Sequence, residues 1–318
     1  MPALATGLDY LDLQFLGQPG VIATAVLHGR QGVGLIDPGP STTLPRLETT
    51  LAERGIALRD VHAILLTHIH LDHAGGTGVL LEKCPHARVY VHERGAPHLI
   101  DPSRLIASAS RLYAPDMARL WGEIRPVPAD RVRVLGPAGP SDARAAMRLD
   151  PIVVADRELQ VAWTPGHAWH HVSYFAADAR LAFVGDTAGI CRPSGRIVLP
   201  PTPPPDIDLE AWRTSTDLIL GWHPDVLFLT HFGPQSSPRV HVQDLWTRIE
   251  DWSRRVQALL AKPGTDEEHA RAFTDAVTDE LVRSTNRDEA RAYASAARFD
   301  FSWSGLARYW RKRGGPTA

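Results

Sequence analysis

The sequence predicts an α/β protein with a helical tail, and three observations carry that prediction. Short apolar runs of strand length recur between Val21 and Leu229, with amphipathic segments of helical period among them. One of these runs, Val61 to Leu66, leads directly into Thr67-His68-Ile69-His70-Leu71-Asp72-His73. After residue 240 the apolar side chains recur at spacings of three and four, the period of one helix face.

Composition bounds the function. The chain has 318 residues, enough for one large domain and an appendage, read here as residues 1–240 and 241–318. A hydrophobic content of 44% supports a sizeable core. The formal net charge is −2, with 34 Lys+Arg against 36 Asp+Glu, which argues against a nucleic-acid surface. The basic cluster Arg308, Arg311, Lys312 and Arg313 reads as a solvated helix end. Cys84 and Cys191 have no metal-type spacing and read as free thiols, consistent with a reducing cytoplasm. Met1 to Phe15 lacks the charged and apolar regions of a signal peptide, and no run is long and apolar enough to span a bilayer. The expected partner is a small-molecule substrate, in the cytoplasm, with no nucleic acid and no membrane; the oligomeric state is open.

Tyr10 to Gly17 alternates as a half-buried strand does, and Val21–Leu27 and Val33–Ile36 read as two more strands joined at Gln31-Gly32. Asp37-Pro38-Gly39 is a sharp turn. Asp37 reads as a turn residue. Ser41 to Arg54 is a helix with Ser41 or Thr42 as cap and Gly55 as its stop. A short helix ends over Val79–Lys83, and Arg88–His92 is a strand. Residues 96–121 change pattern, with short helices broken at Pro102 and Pro115; this insertion is expected at the mouth of the site. Val132–Leu135, Ile152–Val154 and Leu159–Trp163 read as strands of the second half, followed by Leu181–Val184 and Val226–Leu229. The run Pro200-Pro201-Thr202-Pro203-Pro204-Pro205 forbids helix and suggests a stiff wall of the site within the loop Cys191–Pro205. Asp208–Trp222 returns to helix. In the tail, Trp246, Ile249, Ser253, Val256 and Leu260 share a face, Pro263-Gly264 breaks the helix, and Thr265-x-x-Glu268 and Asn286-x-x-Glu289 open two more.

The chemistry lies in the histidines. Imidazole and carboxylate are the ligands preferred by zinc and its neighbours. Along an extended backbone His68 and His70 point the same way, and Asp72 and His73 follow where the chain turns. The stretch resembles the H-x-H-x-D-H signature of the metallo-β-lactamase superfamily. Further elements follow in family order: Thr164-Pro165-Gly166-His167 is similar to T-P-G-H, Gly185-Asp186-Thr187 to G-D-T, and His231 to the final histidine after a strand. The resemblance covers roughly residues 10–240.

That resemblance implies an αββα four-layer metallo-β-lactamase sandwich with a C-terminal helical extension. It also implies two divalent metal ions, with zinc the first expectation and iron or manganese the alternatives. His68, His70 and His167 would hold one, Asp72, His73 and His231 the other, and Asp186 would bridge. Such enzymes hydrolyse ester-like bonds with a hydroxide held between the metals, and Asp72 would be the catalytic residue that orients it and passes a proton to the leaving group. By the same family resemblance Asp37 reads, equally with the turn, as an acidic residue near the histidine cluster. His171 matches a family histidine and reads as structural; His170 departs from the usual glycine, and with Trp169 it could line the pocket. The chain resembles glyoxalase II, a thioester hydrolase, and also N-acyl-homoserine lactonases, although Thr187-Ala188-Gly189 lacks the tyrosine those often carry. The alternatives within the fold are a mononuclear-iron sulfur dioxygenase and a phosphodiesterase. A pure binding module is the remote one.

Overall fold

A computed structural model describes residues 4–136, 147–194 and 197–314. Among these residues the chain builds two six-stranded sheets. The first holds β1 (Leu8–Asp12), β2 (Ala23–Gly29), β3 (Gly32–Ile36), β4 (Val61–Leu65), β5 (Arg88–His92) and β6 (Val132–Leu135) in chain order. The β1–β3 pairs are antiparallel and the β3–β6 pairs parallel. The second holds β7 (Arg148–Val154), β8 (Arg157–Trp163), β9 (Val172–Ala176), β10 (Leu181–Phe183), β11 (Val226–Leu229) and β12 (Gly233–Ser236).

The sheets pack face to face. Leu27, Ile36 and Leu65 of the first meet Val161, Tyr174, Phe183 and Phe228 of the second in one buried cluster. This explains why several strands are apolar runs rather than alternating ones: both faces are covered. On the outside of the first sheet lie α1 (Leu44–Ala52), α2 (Leu71–Ala74), α3 (Thr77–Leu81), α4 (Ala96–Ile100), α5 (Ser103–Tyr113) and α6 (Met117–Trp121). Leu47, Leu51, Leu80 and Leu99 pack there against Val26, Leu35 and Ile64. On the outside of the second lie α7 (Leu209–Gly221), α8 (Pro238–Leu260), α9 (Asp266–Ser284), α10 (Arg287–Ala297) and α11 (Phe299–Lys312). Trp212, Trp252, Phe273, Tyr293 and Trp303 join Leu227 and Leu229 in a single core. Each such fully buried large side chain contributes on the order of 2 kcal/mol relative to exposure. The result is four layers, helix, sheet, sheet, helix.

Local signals in the tail behave as their chemistry requires. Thr265 and Glu268 form a reciprocal capping box, and Asn286 accepts from the N–H groups of Asp288 and Glu289. At the basic end of α11, Arg308, Lys312 and Arg313 are exposed as expected, with Arg311 paired to Asp266 and Arg313 to Glu210. Both cysteines are buried and free, and burial pushes each thiol up to about 12. Among the described residues no helix is long and apolar enough to cross a membrane.

The structure corrects several expectations. The first strand begins at Leu8 and ends at Asp12; Gln14 and Leu16 adopt left-handed backbone, so Phe15–Gly17 is an irregular tight turn and not strand. Ser41 and Thr42 do not cap α1. Their hydroxyls donate to the carbonyls of Glu123 and Leu120 at the end of the insertion. Val132–Leu135 belongs to the first sheet, as its edge beside β5, and not to the second half. The strands read as Ile152–Val154 and Leu159–Trp163 each begin earlier, at Arg148 and Arg157.

Candidate metal centre

The candidate site lies at one end of the sandwich, where loops from both sheets meet. β4 ends at Leu65, and the chain runs through Thr67 and His68 to His70, which stands at the start of α2. That one-turn helix carries Asp72 and His73. His167 follows β8, Asp186 follows β10 and His231 follows β11. Three groupings bring side chains of these residues together, each with ligand atoms within 4.8 Å of one another: His68, His70 and His167; His68, His73 and Asp186; Asp72, His73 and His231.

Outward contacts fix the imidazoles. His167 Nδ1–H donates to the carbonyl of Pro201 at 2.8 Å, and His231 Nδ1–H donates to that of Val21 at 2.7 Å. Thr67 Oγ1 donates to Asp37 Oδ2, so His68 Nδ1–H donates to that same hydroxyl oxygen, at 3.1 Å. His73 Nδ1–H donates to Asp37 Oδ2 at 2.8 Å. In each ring Nε2 is left facing the centre. Hydrogen bonding of the far nitrogen is how metal-ligating histidines are oriented.

The inner atoms test whether a metal fits. Buried His68 Nε2 has no hydrogen-bond partner, and His73 Nε2 and Asp186 Oδ1, also buried, have none beyond each other. Buried polar atoms are ordinarily satisfied, and orphans of this kind call for an ion or water. His167 Nε2 lies 3.0 Å from His70 Nδ1 and 3.4 Å from Asp186 Oδ2. His231 Nε2 lies 3.2 Å from Asp72 Oδ2 and 3.8 Å from Asp186 Oδ1, and His73 Nε2 lies 3.2 Å from that same Asp186 oxygen. The donor set therefore suits divalent cations with nitrogen and oxygen ligands.

The electrostatics agree. Burial, reinforced by the neighbouring imidazoles, holds His68 well below the usual histidine range, and His70 falls to about 3. Neutral imidazole is the metal-binding form. For His73 burial acts downward, but Asp186, Asp37 and Asp72 outweigh it and raise its basicity well above the ordinary value. Burial opposes ionisation of Asp72 and Asp186 too, yet the surrounding histidines depress both, Asp72 to about 2. The centre thus sets ionised carboxylates among imidazoles, a surrounding that attracts a cation.

Two glycines explain the motifs around these ligands. A Cβ on Gly166, whose φ is +133°, would stand 2.3 Å from the Trp212 Cβ. A Cβ on Gly185, at φ +47°, would stand 2.5 Å from Thr67 Oγ1 and 2.6 Å from His171 Nε2. The backbone can pass close behind the ligands only without a side chain. His171 itself is fully buried. Its Nε2 accepts from the Asp186 N–H at 3.2 Å and its Nδ1 lies 2.9 Å from Thr164 Oγ1. Burial keeps it neutral.

The profile of the metallo-beta-lactamase superfamily matches residues 17–231. The chain belongs to that superfamily. It is 26% identical over 238 residues to the metallo-beta-lactamase fold-containing protein of Sulfurisphaera tokodaii, covering 73% of this chain and 81% of that one. It is 30% identical over 193 residues to a hydroxyacylglutathione hydrolase of a Synechococcus strain, covering 60% of this chain but only 53% of that protein. A metallo-beta-lactamase family protein of Thermus thermophilus shares the fold, with a TM-score of 0.66, 24% identity, and coverage of 98% of this chain and 95% of that one. The chain is accordingly a hydrolase of the metallo-beta-lactamase fold, with a histidine and aspartate cluster arranged as a metal site.

Around the centre, the expectations and the structure coincide in part. The insertion and the proline loop do line the cavity above the cluster, as does His170. Gly195 and Arg196 of that loop lie outside the described residues. Trp169 does not line the cavity. Its ring lies against Trp163 and Arg94, and its carbonyl accepts from Trp163 Nε1–H. Asp37, whose sequence context fits a turn and a site neighbour equally, is fully buried behind the ligands. No sequence signal marks Arg298 and Phe301 of the tail as reaching the cavity, or Asp206; burial raises the Asp206 carboxyl.

Proposed function

We propose that this superfamily member hydrolyses an ester-like acyl bond of a small molecule, most plainly a thioester or a lactone, with two divalent ions, zinc first among them. The observation that supports it is the set of buried, inward-facing atoms on His68, His73 and Asp186 that have no partner outside overlapping ligand groups. His68, His70 and His167 would hold one ion, Asp72, His73 and His231 the other, and Asp186 would serve both. Divalent ions in such a site lower the pKa of water to roughly 7 and polarise an acyl oxygen.

The chain's own residues supply the rest. Asp186 is almost wholly covered, with 5% of its side chain exposed, whereas Asp72 keeps 28% exposed and faces the cavity. Of these two carboxylates, Asp72 is the more open to substrate. It takes the proton of the attacking water and passes it to the oxygen or sulfur leaving the acyl carbon. The acyl carbon gains a C–O bond, loses its bond to the leaving atom, and the products are a carboxylic acid and an alcohol or thiol. The cavity holds about 270 Å3, at the lower edge of ordinary ligand pockets, and this favours a small molecule over a polymer. The likeness to a hydrolase named for hydroxyacylglutathione supports the thioester arm.

The test is initial-rate hydrolysis of a small thioester and an acyl lactone by zinc-loaded protein, with chelator-treated protein as control. Metal-dependent turnover of either supports the reading. Turnover of neither, alongside oxygen consumption with a persulfide by iron-loaded protein, would replace it.

A further inference from the structure

Two cavities meet above the candidate metal centre. The first, of about 270 Å3, lies between α5, the proline loop and the start of α11, and reaches His70, His167 and Asp186. The second, of about 290 Å3, runs past Phe15, Val21 and Ile22 and reaches His231. Asp72, Tyr113, Trp121 and Arg298 line both. A substrate held over Asp72 therefore has room on two sides.

An aromatic wall separates those sides. Phe15 stacks on Trp121 at 5.7 Å, Trp121 meets Tyr113 edge-on at 5.0 Å, and Tyr113 meets Phe301 edge-on at 5.3 Å. The wall joins the first loop, the insertion and the tail, three segments far apart in the chain. The first cavity is faced by Leu105, Ala109 and Leu112 of α5 and by Phe301 and prolines opposite. Of its two arginines, Arg298 is solvent-exposed and paired: it makes two contacts with Asp300, at 3.0 and 2.7 Å, and lies over the Phe301 ring. Arg104 is exposed to solvent, at the open side. Beyond the candidate metal-site side chains and Tyr113, the titratable groups of this compartment are His98, His170, Asp206, whose carboxyl burial raises, and the exposed Arg104 and Arg298; the rest of its wall is largely apolar and open to a ligand.

We infer that the acyl part of the substrate is an uncharged apolar chain seated in the α5–proline loop–α11 compartment, with the leaving group directed to the second cavity. The inference rests on the hydrolase reading above and names its substrate class: apolar acyl thioesters or esters. The tail takes part in this by closing the acyl compartment with Phe301 and Arg298, so insertion and tail together set chain length.

The experiment uses zinc-loaded, full-length protein and a series of straight-chain acyl thioesters of one small neutral thiol, from acetyl to decanoyl, with binding of straight-chain alkanols measured by calorimetry in parallel. Each methylene that enters the compartment raises kcat/KM and alkanol affinity by about fourfold, until the space is filled. Leu112→Trp or Ala109→Trp narrows the compartment and lowers the octanoyl-to-acetyl ratio of kcat/KM by roughly tenfold or more, the loss of two or more buried methylenes; using both guards against misfolding of one. A series that is flat, or a ratio unchanged in both folded variants, overturns the inference while leaving the hydrolase reading standing. Alkanol affinity that climbs with length and falls in the variants, with no thioester, matched oxygen ester or acyl lactone cleaved, supports the apolar compartment and overturns the hydrolase reading instead. Flat binding and no turnover overturn both.

Discussion

Asp37 Oδ2 lies 2.8 Å from His73 Nδ1, and both side chains are fully buried. The same carboxylate accepts from the Thr67 N–H at 2.8 Å, from Thr67 Oγ1 at 2.7 Å and from Thr230 Oγ1 at 2.7 Å. One carboxylate thus ties the histidine loop of the first sheet to the strand end that delivers His231. Asp37→Asn would turn an NH2 group toward donors. Loss of hydrogen bonds to a buried charge costs about 1.5–3 kcal/mol each. The expected result is zinc affinity weakened about 10- to 100-fold, as for other residues that orient metal ligands. Competition with a chromophoric chelator measures this, and an unchanged affinity would remove Asp37 from the account.

Gly166→Ala places a methyl group against the backbone and Cβ of Trp212, neither of which can yield. Trp212 is buried and its indole N–H donates to the Thr187 carbonyl at 2.7 Å. The loop carrying His167 must shift instead. We expect a lower urea midpoint together with weakened metal binding, read on the same samples. A variant as stable and as metal-replete as the parent would contradict this packing argument.

Asp72→Asn keeps the shape of the side chain and removes its ability to take up a proton. Positioned acid–base groups contribute typically about 10²- to 10⁴-fold. A fall of about that size in kcat, on whichever acyl substrate proves active, is expected with the fold intact by circular dichroism. A loss confined to KM would show that Asp72 positions substrate only.

The candidate ligands are legible in the sequence because four of the seven sit within six residues of one another and the others follow strand ends. The expected four-layer fold follows from the motifs, and the double-sided burial of the strands bears it out. What is not legible depends on tertiary placement. An apolar run does not say which sheet it joins, so Val132–Leu135 reads as part of the wrong half. Ser41 and Thr42 look like helix caps until the insertion brings the carbonyls of Leu120 and Glu123 within their reach. Tyr113 and Phe301 carry no motif, and only the fold brings them together across the cavity.

His92 supplies a pH dependence apart from the metal cluster. It is buried against Trp163, and burial, helped by Arg94, lowers it to about 4. In the unfolded chain it titrates near about 6.5. Between those values the unfolded state binds a proton that the folded state does not, so stability is full above about 6.5 and falls as pH drops toward about 4. The shift corresponds to roughly 3 kcal/mol at its limit. Urea midpoints at neutral and acid pH should differ less in His92→Gln than in the parent; an equal difference would rule His92 out as a contributor.

The most direct test of the central claim is metal analysis of zinc-saturated, desalted protein, with Asp186→Ala alongside and thioester and lactone rates taken on the same samples. Two ions per chain are expected in the parent, with both ions and activity lost in Asp186→Ala. A fully active, metal-replete Asp186→Ala protein would contradict the claim.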